Sequence, residues 1–140
     1  MTTNATDALK TTALRFCEAI DRQDWHTAVA LTRDDCRARA GGHDLDRDAW
    51  LGMGKMFAAA FPDGKHAIVA VVAEGDRVVI RGSWSGTHRG AFQGIAPTGR
   101  KVVMDMVVID RIVEGRIVEH FAIFDAAALM QQIAAPAGAA

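Results

Sequence analysis

The chain has 140 residues, 50% of them apolar and 24% charged, with a formal net charge of −1. That length makes one domain, able to bury roughly two thirds of its unfolded surface. The near-zero charge, with no basic block longer than a pair, excludes the electrostatic footprint of a nucleic-acid or anionic-membrane binder.

The start, MTTNATDALKTTALRF, lacks the basic opening and unbroken apolar core of a secretory signal. No apolar run approaches the ~20 residues that span a bilayer. Cys17 and Cys36 form no CxxC and read as reduced, packed thiols of a cytoplasmic protein. Residues 1–5 and 134–140 read as flexible tails on a single domain spanning the chain.

Helical spacing of Leu9, Ala13, Phe16, Cys17 and Ile20 predicts an amphipathic helix from about Asp7 to Arg22. Asp24 caps a second helix, expected to run to about Arg33. A short strand around Cys36–Ala40 meets the Gly41-Gly42 break. Asp46 or Asp48 then starts a third helix, with Trp50, Met53, Phe57 and Ala60 on one stripe, and Pro62 and Gly64 stop it.

From there the period changes from 3.6 to 2. His66–Ala73 and Arg77–Thr87 form a hairpin through Glu74-Gly75-Asp76, with Val78, Ile80 and Trp84 inward and Arg81, Ser83, Ser85 and Thr87 wet. A loop from His88 to Arg100 leads to a strand over Lys101–Ile112. Glu114-Gly115 turns it back as Arg116–Phe124, and Asp125 opens a last short helix, AAALMQQI. The expected fold is α+β: three N-terminal helices packed on a strongly curved antiparallel sheet, a cone with an internal apolar pocket, and a short C-terminal helix. The closing hairpin is apolar on both faces, so its outer face is expected to be covered by a second copy of the chain, as a homodimer.

The pocket between helices and sheet has Phe16, Trp25, Trp50, Met53, Phe57 and Trp84 as candidate lining, each with plain core packing as the alternative. Such a set suits a flat hydrophobic ligand. His120 is the first candidate for chemistry, because an imidazole inside an apolar strand needs a partner. Asp105 is the second polar intruder, a candidate acid or base; an interfacial ion pair with an arginine is its alternative. A two-residue turn at Glu114-Gly115 puts Ile109 opposite His120, with Asp105 on the same face but roughly 13 Å away. A one-residue shift in pairing sends Asp105 to the other face. His43 and His88 are candidates for the pocket rim, or solvated loop residues; His26 and His66 read as surface or packing. No HxH, HxxxH or Cys/His cluster occurs, so no metal is expected, and there is no GxGxxG, P-loop or GxSxG.

The segments FPD (Phe61–Asp63), EGDRVVIRG (Glu74–Gly82), GTHRGAFQGIAPTGRKV (Gly86–Val102) and VEGRIVEHF (Val113–Phe121), with Asp125, resemble the SnoaL-like polyketide cyclase family in identity and spacing. The resemblance implies the cone fold of nuclear transport factor two, a dimer, and intramolecular aldol ring closure without metal or organic cofactor. In that chemistry an acidic residue removes a proton alpha to a carbonyl. Many members read E-H-W-D where this chain has Glu119-His120-Phe121-Ala122. The histidine carries over and the acid does not, leaving Asp105 or His120 to substitute. Among relatives of the cone, a ketosteroid-isomerase site needs a tyrosine in its oxyanion hole, and this chain has none. An epoxide-hydrolase site needs an Asp-Arg-Asp set, and no arginine stands at an inward strand position. Two readings follow: a cyclase or isomerase acting on a small hydrophobic, aromatic or polycyclic carbonyl compound, or a non-catalytic module that binds one. An epoxide-hydrolase-like enzyme is the lesser alternative.

Overall fold

The computed structural model describes residues 4–134. Of the expected tails, residues 1–3 and 135–140 lie outside the described residues; Ala5 already belongs to the first helix and Ala134 to the last. Helices α1 (Ala5–Asp21), α2 (Trp25–Ala30) and α3 (Arg47–Ala60) cover a sheet of six strands, and α4 (Ala126–Ala134) closes the chain. The strands are β1 (Thr32–Ala40), β2 (His43–Asp46), β3 (Lys65–Glu74), β4 (Arg77–Thr87), β5 (Lys101–Val113) and β6 (Arg116–Phe124).

The helix starts are set by short polar side chains. Asn4 accepts from the Asp7 N–H, Asp24 from Thr27, Asp46 from Ala49 and Asp125 from Ala128. Each fills one of the four orphan donors of a helix N-terminus, worth about 1 kcal/mol.

Three details depart from the sequence expectation. Helix α2 stops at Ala30 rather than near Arg33. Thr32 Oγ1 folds back on the Ala28 and Val29 carbonyls, and the Leu31 carbonyl accepts the Ile117 N–H at 2.8 Å. Strand pairing thus claims residues that local pattern gave to the helix. Secondly, His43–Asp46 is an added edge strand, paired antiparallel with Arg37–Ala40. Thirdly, the sheet order is β2-β1-β6-β5-β4-β3 and β1 runs parallel to β6, so the sheet is mixed rather than wholly antiparallel.

Register shifts in β3 (between Ile68 and Ala70), in β1 and in β6 mark bulges, which bend strands and increase their twist. The bent sheet wraps two apolar clusters. One joins α1 and α3 to Val78, Ile80, Met106 and Val108; the other joins Phe61, Trp84, Phe92, Val102 and Met104 to α4. Along β5 the even-numbered residues from Val102 to Ile112 are buried. The odd-numbered face looks outward, where Val103 is 52% exposed and Ile123 of β6 is 61% exposed.

Candidate active site

A cavity of about 150 Å³ lies between α1, α3 and the inner face of the sheet. That is room for a small aromatic ring compound, and the cavity is partly open, with the exposed Gln23 and Pro62 among its lining residues. Its walls are apolar. Trp50 stacks on Phe16 with ring centroids 4.8 Å apart, and Phe57 meets Trp84 and Phe124 edge-on at 5.6 and 6.0 Å.

The deep polar group is a pair. His120 Nδ1 lies 2.6 Å from Asp110 Oδ1, and the two side chains are only 7% and 2% exposed. His120 stands on β6 directly opposite Asp110 on β5, both facing inward. Its ring stacks on Trp50 at 4.1 Å with 27° between the planes. A carboxylate accepts only, so the Nδ1–H donates to Asp110, and in the neutral ring the second nitrogen, Nε2, carries the lone pair. The contact with Trp50 fixes the ring plane.

A second pair lines the same cavity. His66 Nδ1 is 2.5 Å from Asp21 Oδ1, and the Asp21 carboxylate also accepts the His66 backbone N–H. Between the pairs sits Cys17, one helical turn before Asp21 on α1. Burial pushes the Cys17 thiol up to about 12, with the charges of Asp110 and then Asp21 adding to the effect. It is a neutral wall group and no nucleophile. Among the described residues no three His, Cys, Asp or Glu side chains cluster to hold a metal ion.

Of the residues expected to line a pocket, Phe16, Trp50, Met53, Phe57 and Trp84 do so. Trp25 does not: it packs on α3 beside Gly54, with the Lys55 ammonium 5.7 Å from its ring. His43 is exposed on β2; its antiparallel partner Ala40 lines the cavity, but His43 itself does not. His88 is fully buried instead of lying on the rim. Its Nδ1 accepts the Thr98 N–H and its ring tilts against Phe61 at 5.5 Å, which ties down the 88–100 loop.

Asp105 is corrected by the register. It lies opposite Ser83, exposed on the outer face, because it has the odd parity of Val103 and Val107. The carboxylate that meets His120 is Asp110. It shares parity with Met104, Met106 and Val108, and that was the available signal for it. His66, read as surface or packing, lines the cavity. Ala122, where the resemblance implies an acid, also faces the cavity, and the carboxylate nearest to His120, Asp110, stands on the neighbouring strand β5.

The sequence profile described as SnoaL-like polyketide cyclase matches residues 11–133, and the chain belongs to that family. Its similar solved structures include IdmH from Streptomyces antibioticus, a proposed polyketide cyclase. IdmH is 32% identical, matched over 89% of this chain and 97% of its own, with a TM-score of 0.82. AclR from Streptomyces galilaeus, a proposed hydroxylase, is 24% identical over 97% of this chain and 87% of its own, with a TM-score of 0.87. A proposed SnoaL-like polyketide cyclase from Jannaschia sp. CCS1 is 20% identical over 97% and 99%, with a TM-score of 0.86. The last two are likenesses of fold. A search of curated proteins gave no match.

Proposed function

We propose that this chain is a cofactor-independent cyclase or isomerase that moves a proton next to a carbonyl of a flat, apolar ring compound. The observation that carries it is the Asp110–His120 pair, buried at the end of an apolar cavity with one ring nitrogen bonded and the other free. His120 Nε2 takes the proton alpha to the carbonyl, and Asp110 stabilises the imidazolium that forms. For ring closure, the enolate carbon attacks a second carbonyl carbon. A C–C bond forms, the C=O π pair becomes an alkoxide, and the proton held on Nε2 passes to that oxygen. Orientation comes from the walls, chiefly the ring plane set by Trp50 and Phe16, and their apolar surface excludes water from the enolate.

The test is hydrogen–deuterium exchange at C1 of 2-tetralone in D₂O, followed by NMR. His120→Gln is the variant of choice, because its amide N–H still answers Asp110 and protects the fold. Wild type should exchange the position at least about tenfold faster than the variant, the usual floor for a lost general base. Equal rates in the two would remove His120 from the chemistry.

Ala122 supports a second reading, a binding module in which His120 only anchors a ligand oxygen. It predicts that ligand leaves unchanged and that the exchange rate equals that of buffer.

The outer face of the sheet fits a homodimer. Val72, Val79, Ile109 and Phe121 form one row across four strands, and Ala70, Arg81, Val107 and Ile123 form the next. Asp105 stands one row further on, opposite Ser83. Two free buried thiols suit a reducing compartment such as the cytoplasm. No described helix is long and apolar enough to cross a membrane.

A further inference from the structure

The cavity holds a His–Asp pair that the chemistry above does not use. Asp21 closes α1 and His66 is the second residue of β3. The Asp21 carboxylate accepts the His66 backbone N–H at 3.1 and 3.2 Å, which already ties the helix end to the strand start. Joining these elements does not need the ring, yet the ring is also bonded, Nδ1 to Asp21 Oδ1 at 2.5 Å. That contact fixes the tautomer, with Nδ1 facing the carboxylate and Nε2 left as the free pole. His66 lies opposite Trp84, an inward position, and both members of the pair line the cavity.

The two pairs differ in depth. His66 and Asp21 are 15% and 19% exposed, against 7% and 2% for His120 and Asp110. The shallower pair therefore stands on the more open side of the cavity, its mouth, beside the segments where Gln23 donates to the Pro62 carbonyl. Apolar wall separates it from the deeper pair. A ring compound with a single oxygen could enter such a cavity in either sense, since apolar walls do not distinguish its ends. With an imidazole pole at each end, a compound bearing one oxygen leaves one pole unmet in either sense, which disfavours it against a compound with an oxygen at both ends.

We propose that Asp21–His66 is a second oxygen-recognition point. The pocket would then select flat apolar compounds with an oxygen function at each end, one met by His120 in the depth and the other by His66 at the mouth. The inference rests on the reading of this cavity as a site for an apolar oxygenated ring compound. His66 Nε2 accepts from a hydroxyl or, when the ring is protonated, donates to a carbonyl or phenolate oxygen.

Calorimetric titration with 2-naphthol and 2,6-dihydroxynaphthalene tests this without any turnover. The diol should bind wild type about tenfold tighter than 2-naphthol, the worth of one well-made hydrogen bond in a dry site. His66→Leu should bring the diol down to the level of 2-naphthol and leave 2-naphthol within about twofold of its wild-type affinity. The variant keeps the backbone bond to Asp21; should it still misfold, His66→Gln carries the same test, with part of the gain retained. A diol that binds no tighter than 2-naphthol, or a gain that survives His66→Leu, overturns the second recognition point while ring binding stands. Failure of both compounds to bind wild type overturns the ring-binding reading itself, and this inference with it.

Discussion

His120 faces Asp110 because Val118 takes an extra place in β6. From the turn, Val113 pairs with Arg116 and Ile112 with Ile117; then the ladder slips by one, Arg111 pairs with Glu119 and Asp110 with His120. In an unbroken ladder Glu119 would stand inward opposite Asp110, two like charges in the core, and His120 would point to the outer face. The bulge turns a repulsive arrangement into a bonded one.

The buried pair should behave asymmetrically on mutation. His120→Ala strands the Asp110 carboxylate without a partner and should cost about 3 kcal/mol in urea unfolding. His120→Gln keeps a donor and should cost less. Replacing both members by leucine should recover most of the loss, since an apolar pair of similar size needs no solvation. A double variant as unstable as His120→Ala would show that the loss lies in packing.

Both thiols should be silent in the folded protein. Burial raises Cys17 to about 12 and Cys36 to about 11 from an ordinary 9.0, with Asp110 the next cause for each. Neither should react with a disulfide reagent at pH 8, and both should react in guanidinium. Because the folded values are raised, the unfolded chain releases its thiol protons first. Stability is therefore full below about pH 9 and falls as pH rises toward 11–12. A Cys17→Ala variant should show a shallower fall over that window.

Gly90 is a close-approach glycine. A Cβ built on it would lie 2.3 Å from the Ala59 carbonyl oxygen, where the 88–100 loop crosses the end of α3. Gly90→Ala should destabilise by about 1–3 kcal/mol, as overpacking against backbone does. A thermal midpoint equal to that of wild type would mean that the loop is not held there.

Light scattering should give twice the chain mass for wild type and the chain mass for Ile123→Asp, with ligand affinity kept in both. The aspartate would sit on the outer face, where Ile123 is 61% exposed and makes no part of the cavity. A wild-type chain of monomer mass would contradict the dimer.

Much of this fold was readable because local and global preferences agree. The 3.6 period of α1 and α3, the caps at Asp24, Asp46 and Asp125, and the alternation of β4 as far as Ser85 match the structure, whereas Thr87, expected on the wet face, is buried and bonded to Asp63. What sequence did not disclose were partnerships between distant segments. Nothing near Thr32 announces a parallel neighbour some eighty-five residues later, namely Ile117. The site was half legible for the same reason. His120 is conspicuous as a polar residue in an apolar run, but which acid meets it depended on one bulge at Val118. His66 is the second residue of an edge strand among exposed residues, and only the end of α1 makes it part of the cavity.

The most direct measurement is ¹⁵N NMR of the His120 ring, with and without 2-tetralone. The account predicts a protonated Nδ1 held by Asp110 and an unprotonated Nε2 whose resonance moves when the ketone binds. A proton resident on Nε2 with Nδ1 bare, or an Nε2 resonance indifferent to bound ketone, would contradict the assignment of His120 as the group that moves the proton.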